Sequence, residues 1–202
     1  MKSMAGRVTH IEFLVEEQSM EKALEHLLPK ILPDGITFKI HPHQGKRDLL
    51  KKLPGKLRGY VRWIRDETRI CVLVDRDSDD CHELKARLNK FALEARIEVL
   101  NRIAIEELEA WFFGDVPALV KAYRGVSPTL DGKAKFRDPD AIRGGTWEAL
   151  ERVLQRAGYF KAGLAKIKAA DDIARHMDPS RNRLHSFKVF ISGLESLLGT
   201  LN

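Results

Sequence analysis

The sequence predicts an α/β fold: a parallel four-stranded sheet flanked by helices, followed by a C-terminal helical extension. Three observations carry this. Through residue 124, short apolar runs alternate with longer amphipathic stretches, the order that builds βαβ units. The run Cys71-Val72-Leu73-Val74 is apolar on both sides of the pleat, as a strand covered on both faces must be. After residue 124 such runs stop, and only helical spacing returns.

Taken in order, residues 8–15 read as the first strand. Ser19 is placed to cap a helix through Met20, Leu24, Leu27 and Leu28, punctuated by Pro29 and Pro33. Residues 36–41 form a short second strand. Gly45 opens a basic helical stretch with Leu49, Leu50, Leu53 and Leu57 inward, and Pro54-Gly55 is expected to interrupt it. Residues 69–74 make the third strand, and 83–95 a helix burying Leu84, Leu88, Phe91 and Ala92. The fourth strand spans 97–103. Helices over 105–113 and 116–123 close a core of residues 6–124. Residues 125–146 are rich in Gly, Pro and charge and read as a loop. The extension, 147–202, carries helices over 147–157, 162–177 and 187–198 and is expected to pack on the core. The apolar stripe of the last helix leaves a homo-oligomer or partner interface open.

The 202 residues suffice for one such domain with its extension. No apolar run spans a bilayer and no signal-peptide core precedes the first strand, so no membrane contact is expected. Two cysteines, Cys71 within a strand and Cys81 after it, offer no disulfide framework. A cytoplasmic setting is the expectation. The formal net charge of +6 is compatible with a polyanionic partner. Nine cations lie between Gly45 and Arg69, among them Lys46, Arg47, Lys51 and Lys52, against Asp48, Asp66 and Glu67. Tyr60 and Trp63 are interleaved. Such a patch suits nucleic acid, and equally a solvated helix face.

The acids are more specific. The third strand ends in Asp75-Arg76-Asp77-Ser78-Asp79-Asp80. Strand ends of open α/β sheets point into the ligand-binding crevice. In extended chain Asp75 and Asp77 share a side. Two adjacent carboxylates repel unless a cation joins them, and hard oxygens favour Mg²⁺ or Mn²⁺ over Zn²⁺. The competing reading is a polar loop with Asp79 or Asp80 capping the next helix. A calcium loop is excluded, because Asp80 and Ala86 stand where it needs Gly and Glu. A haloacid-dehalogenase motif would open the fold, whereas a strand precedes this one. Right-handed crossovers bring Glu16, at the first strand's tip, beside Asp75 and Asp77 as a third ligand or general base. Glu109 is a candidate second-metal ligand. His41 and His43 lack further zinc ligands, and His185-Ser186 lacks a triad acid.

An apolar strand ending in Glu16, a βαβ crossover and a strand ending in Asp75-Arg76-Asp77 resemble a TOPRIM domain, the catalytic fold of topoisomerases, primases and overcoming-lysogenization-defect (OLD) nucleases. Glu17 stands where that family usually has Gly. Most of the chain resembles a TOPRIM-like bacterial family, domain of unknown function 4276. The matching pieces are Val15-Glu16-Glu17-Gln18-Ser19, Gln44-Gly45-Lys46 with Asp48-Leu49-Leu50, Leu73-Val74-Asp75-Arg76-Asp77 with Asp80-Cys81, Glu107-Leu108-Glu109-Ala110-Trp111 with Gly114-Asp115, Arg137-Asp138-Pro139, and Asn182-Arg183 through His185-Ser186-Phe187. The resemblance implies a TOPRIM-like (Rossmann-like) sheet and Mg²⁺ bound by Glu16, Asp75 and Asp77. It also implies a catalytic lysine after the core: Lys166, with Lys161 in reserve. The implied activity is metal-dependent phosphodiester hydrolysis of DNA or RNA, in a bacterial phage-defence or toxin module with an ATPase partner. A non-catalytic nucleic-acid- or ATPase-binding subunit is the alternative. A metal-dependent phosphatase is a further one.

Overall fold

Four strands pair in parallel throughout: β1 (His10–Val15), β2 (Thr37–Pro42), β3 (Thr68–Asp75) and β4 (Leu100–Ala104), in the order β2-β1-β3-β4. The computed structural model describes residues 7–142 and 144–199. Residue 6 of the predicted core, residue 143 of the predicted loop and residues 200–202 of the predicted extension lie outside these. Helices α1 (Gln18–Ile31), α2 (Lys46–Tyr60) and α3 (Cys81–Ala95) make the crossovers. Five more follow: α4 (Glu109–Phe113), α5 (Val116–Ala122), α6 (Thr146–Arg156), α7 (Lys166–Ala174) and α8 (His185–Leu198).

The pleat sorts the two central strands between two cores. Ile11, Phe13 and Val15 of β1, with Cys71 and Leu73 of β3, join α1 and α4 to α8 on one face. Leu14, Ile70, Val72 and Val74 point the other way, onto α2 and α3. Both faces are covered, which is why these runs are apolar without alternation. The register sets Val15 opposite Leu73 and Asp75 opposite Ala104. The carboxyl ends of β1 and β3 therefore finish side by side in the middle of the sheet.

Several boundaries differ from the sequence expectation. Pro54-Gly55 does not interrupt α2, which runs unbroken to Tyr60. A proline inside a helix costs about 3 kcal/mol. Ending the helix there would unseat Leu57 and Tyr60, whose burial is worth roughly 1.5–3 kcal/mol each, so continuation wins. Pro29 likewise falls inside α1. Ser19 is not the cap of α1 but lies in its first turn, where its hydroxyl donates to Glu17. Asp80, not Asp79, caps α3, accepting from the amides of His82 and Glu83. The helix expected over 105–113 is only the single turn of α4. Residues 125–142 are not a plain loop. They form three short 3₁₀ turns that bury Leu130, Phe136 and Ile142 in the larger core.

Candidate functional site

Glu16 follows the last residue of β1, and its Oε2 accepts the Asp75 amide at 3.1 Å. Gly45, with φ +89°, turns the chain into α2 and donates its amide to the Glu16 carbonyl. This left-handed turn brings the start of α2 against the ends of the central strands. Asp75 closes β3 and is 5% exposed; Glu16 is 8% exposed. Glu109, the first residue of α4, is 2% exposed. Asp75 Oδ1 and Glu109 Oε2 are buried without a hydrogen-bond partner.

Such burial disfavours charge. Burial lifts the Asp75 carboxyl well above its ordinary range, and the neighbouring Glu109, Glu16 and Asp77 lift it further. Burial raises Glu16 to about 7, against the pull of the Asp75 amide and Lys46. Glu109 is raised to about 7 by burial, partly offset by Lys166.

Two lysines flank the acids. Lys46 Nζ bonds Asp77 Oδ2 at 2.7 Å, Asp79 Oδ2 at 2.8 Å and the Arg76 carbonyl at 2.9 Å. Lys166, which opens α7, holds its Nζ 4.0 Å from Glu109 Oε1 and 5.1 Å from the Trp147 ring centre. Burial pulls both amines down, but the surrounding carboxylates outweigh it and both stand above the ordinary lysine value. A cleft of about 770 Å³ opens beside Lys46 between α2 and α3, with Arg47, Lys51, Asp77 and Asp79 in its walls. A second, of about 610 Å³, opens on the Lys166 side, lined by Glu17, His43 and Gly45.

The predicted residues thus divide. Glu16, Asp75, Glu109 and Lys166 converge. Asp77 does not extend β3: its φ of +49° turns it from strand geometry, its amide donates to the Glu106 carbonyl, and its half-exposed carboxylate goes to Lys46. The shared side expected of Asp75 and Asp77 is lost because the chain is no longer extended there. Lys46 and Lys52 are engaged by acids, Lys52 by Asp48 at 2.8 Å. Among the described residues Arg47, Lys51 and Lys161 make no ion pair. His41 bonds Glu12 while His43 bonds the Val15 carbonyl, so the two serve different partners. Ser186 donates to Asp140 at the start of α8.

Sequence reasoning missed two contributors. Glu17 adds negative potential at Asp75, Glu109 and Lys166. Glu107 accepts from the Thr146 and Trp147 amides and so seats the tryptophan beneath Lys166. The matched piece Glu107-Leu108-Glu109 signalled that the segment mattered, not this division of labour.

Asp75, Glu109 and Glu16 offer only hard oxygen donors, and two unpartnered buried carboxylate oxygens fit a divalent cation of the Mg²⁺ or Mn²⁺ type. Among the described residues no three acid, imidazole or thiol side chains already stand at metal-binding spacing.

A parallel α/β sheet with acids at the carboxyl ends of its central strands defines a Rossmann-like protein with a polar crevice. The chain belongs to the family described as domain of unknown function (DUF4276), whose sequence profile matches residues 15–195. No curated protein and no solved structure matches it. No helix among the described residues is long and apolar enough to cross a membrane.

Proposed function

We propose that the protein is a metal-dependent hydrolase of phosphodiesters in nucleic acid, of TOPRIM type. The observation that carries this is the pair of buried, unpartnered carboxylate oxygens on Asp75 and Glu109, with Glu16 and Lys166 beside them. Asp75, Glu109 and Glu16 would hold Mg²⁺ or Mn²⁺, with Asp77 joining if Lys46 releases it. Such a cation supplies polarisation of a phosphoryl oxygen and a more acidic water. Glu16, held beside Asp75 by that residue's amide, is placed either as a ligand or as the base for a cation-bound water. Lys166, steadied over Trp147, offsets negative charge growing on the phosphoryl group. Arg47 and Lys51, free of acids, meet the backbone. The resemblance to OLD-type nucleases further suggests a bacterial phage-defence or toxin module, an ATPase partner and a cytoplasmic setting.

The test is cleavage of plasmid, single-stranded DNA and RNA with Mg²⁺ or Mn²⁺, beside Asp75→Asn and Lys166→Ala. Wild-type cutting that falls on the order of 10²-fold or more in each variant is expected. Cutting that survives Asp75→Asn would refute the assignment. A second reading, a non-catalytic binding subunit, draws on Lys46, whose ammonium already satisfies Asp77 and Asp79 without a metal. It predicts no heat of Mg²⁺ or Mn²⁺ binding in calorimetry.

A further inference from the structure

On α2 the exposed residues Arg47, Lys51 and Arg58 lie within about 40° of one another around the helix axis. None makes an ion pair or side-chain hydrogen bond among the described residues. Pro54 and Gly55, between Lys51 and Arg58, add no charge to the ridge. The one acid of this helix, Asp48, is bound to Lys52 and half-buried. At one end the ridge enters the wall of the 770 Å³ cleft through Arg47 and Lys51. At the other, about 20 Å away by helix rise, the chain turns and presents Arg62 and Trp63. Trp63 is 61% exposed, the most exposed aromatic side chain on the surface. One side of its indole leans on Tyr60, ring centres 4.8 Å apart and tilted by 42°. That contact steadies an aromatic side chain most of which faces water.

We infer that this ridge is the track of a single-stranded polynucleotide, whose phosphates follow Arg47, Lys51, Arg58 and Arg62 and whose base stacks on Trp63. The inference rests on the hydrolase reading in one respect: the strand would pass from this cleft, at Asp77 and Asp79, toward Asp75, which precedes Asp77 by two residues. Charge and aromaticity select the partner. A duplex hides its base faces, so an open indole adds nothing to it, whereas every unpaired base has a face to stack. An acidic protein would match the cations, but the apolar surface here is only Val61 and Trp63. Stable protein interfaces bury about 800 Å² per partner around a larger apolar centre.

The test is fluorescence anisotropy of labelled oligothymidylate, oligouridylate, a DNA duplex and polyglutamate on the full chain. Divalent cation is withheld so that nothing is cut. Both single strands are expected to bind alike through stacking and phosphate contact; preference for one identifies the sugar. Trp63→Ala should weaken single-strand binding about tenfold. Trp63→Phe should restore most of it, which separates stacking from a folding defect. With four phosphate contacts, log affinity should fall against log salt with a slope of about −3, shallower in Arg58→Ala. Equal binding of duplex and single strand, binding unmoved by Trp63→Ala, preference for polyglutamate, or no binding would each overturn the inference. Trp63-dependent binding without cleavage in Mg²⁺ would sink the hydrolase reading alone; cleavage with Trp63-independent binding would sink this one alone.

Discussion

Glu16 and Glu109 hold protons up to about pH 7, where ordinary glutamates release them near 4.5. Between those values the folded chain binds more protons than the unfolded chain, so stability without a cation falls as pH rises through that window. The loss begins near 4.5 and is complete above about 7. Glu109→Gln removes one of these titrations. It should melt higher than wild type above pH 7 and about equally below 4.5, with roughly 2–4 °C per kcal/mol recovered, read by scanning fluorimetry across pH. A lower melting temperature at high pH would mean that the Glu109 charge is already well satisfied. Mg²⁺ should raise the melting temperature of wild type in the upper range and not that of Asp75→Asn. Gly114 makes a different residue-scale prediction. A Cβ there would stand 2.1 Å from Asn182 Oδ1, on a buried amide pinned between the Trp111 carbonyl and the Leu184 amide. Gly114→Ala should lose about 1–3 kcal/mol in urea titration. The position of Glu16 and Asp75 at the ends of β1 and β3 was legible because a strand tip is a local property of sequence. The shared side expected of Asp75 and Asp77 is not met, because one left-handed residue, invisible in an acid-rich run, reverses the direction of Asp77.

All three C-terminal helices start without a side-chain cap of their own, and for α6 and α8 the substitute is plain. Gly145 precedes α6 and Leu184 precedes α8. The missing acceptors come from afar: Glu107 takes the Thr146 and Trp147 amides, and Asp140 takes the Ser186 amide. At the opposite end of α7, Lys30 of α1 donates to the carbonyls of Ala174, Arg175 and Met177. Carboxylates at amino ends and an ammonium at a carboxyl end each match the helix dipole. Glu107→Ala should therefore cost about 1–2 kcal/mol and speed amide exchange at the start of α6. It should also reduce activity, since Trp147 supports Lys166. Unchanged exchange there would count against the capping role. Periodicity revealed the inward faces of these helices. It could not reveal their starts, because the signals that set them lie 39 and 46 residues away in the chain.

At the scale of the whole molecule, the larger core draws side chains from Val8 to Leu194, including Leu150 of α6, Ile173 of α7 and Phe187 of α8. Asp115 ties the two halves further, accepting from the Ala118 and Asp178 amides and from Arg181. Removing the last helices would strip one face of the sheet, so the chain should unfold in one step. Calorimetric and van't Hoff enthalpies should coincide, and two resolved transitions would contradict that. The parallel sheet was legible from its doubly apolar runs. The burial of the 125–142 segment was not, because short 3₁₀ turns carry no period.

The same seating of α8 bears on how the chain is born. A ribosome releases β1, β2 and β3 long before Phe187 and Phe190 emerge, because α8 follows them by more than a hundred residues in the chain. Until then Trp111 lacks the Phe187 and Phe190 rings that pack on it in the finished fold. The nascent chain must pass through an interval of adhesive half-assembly, when folding assistants matter most and when arrested translation products would clump.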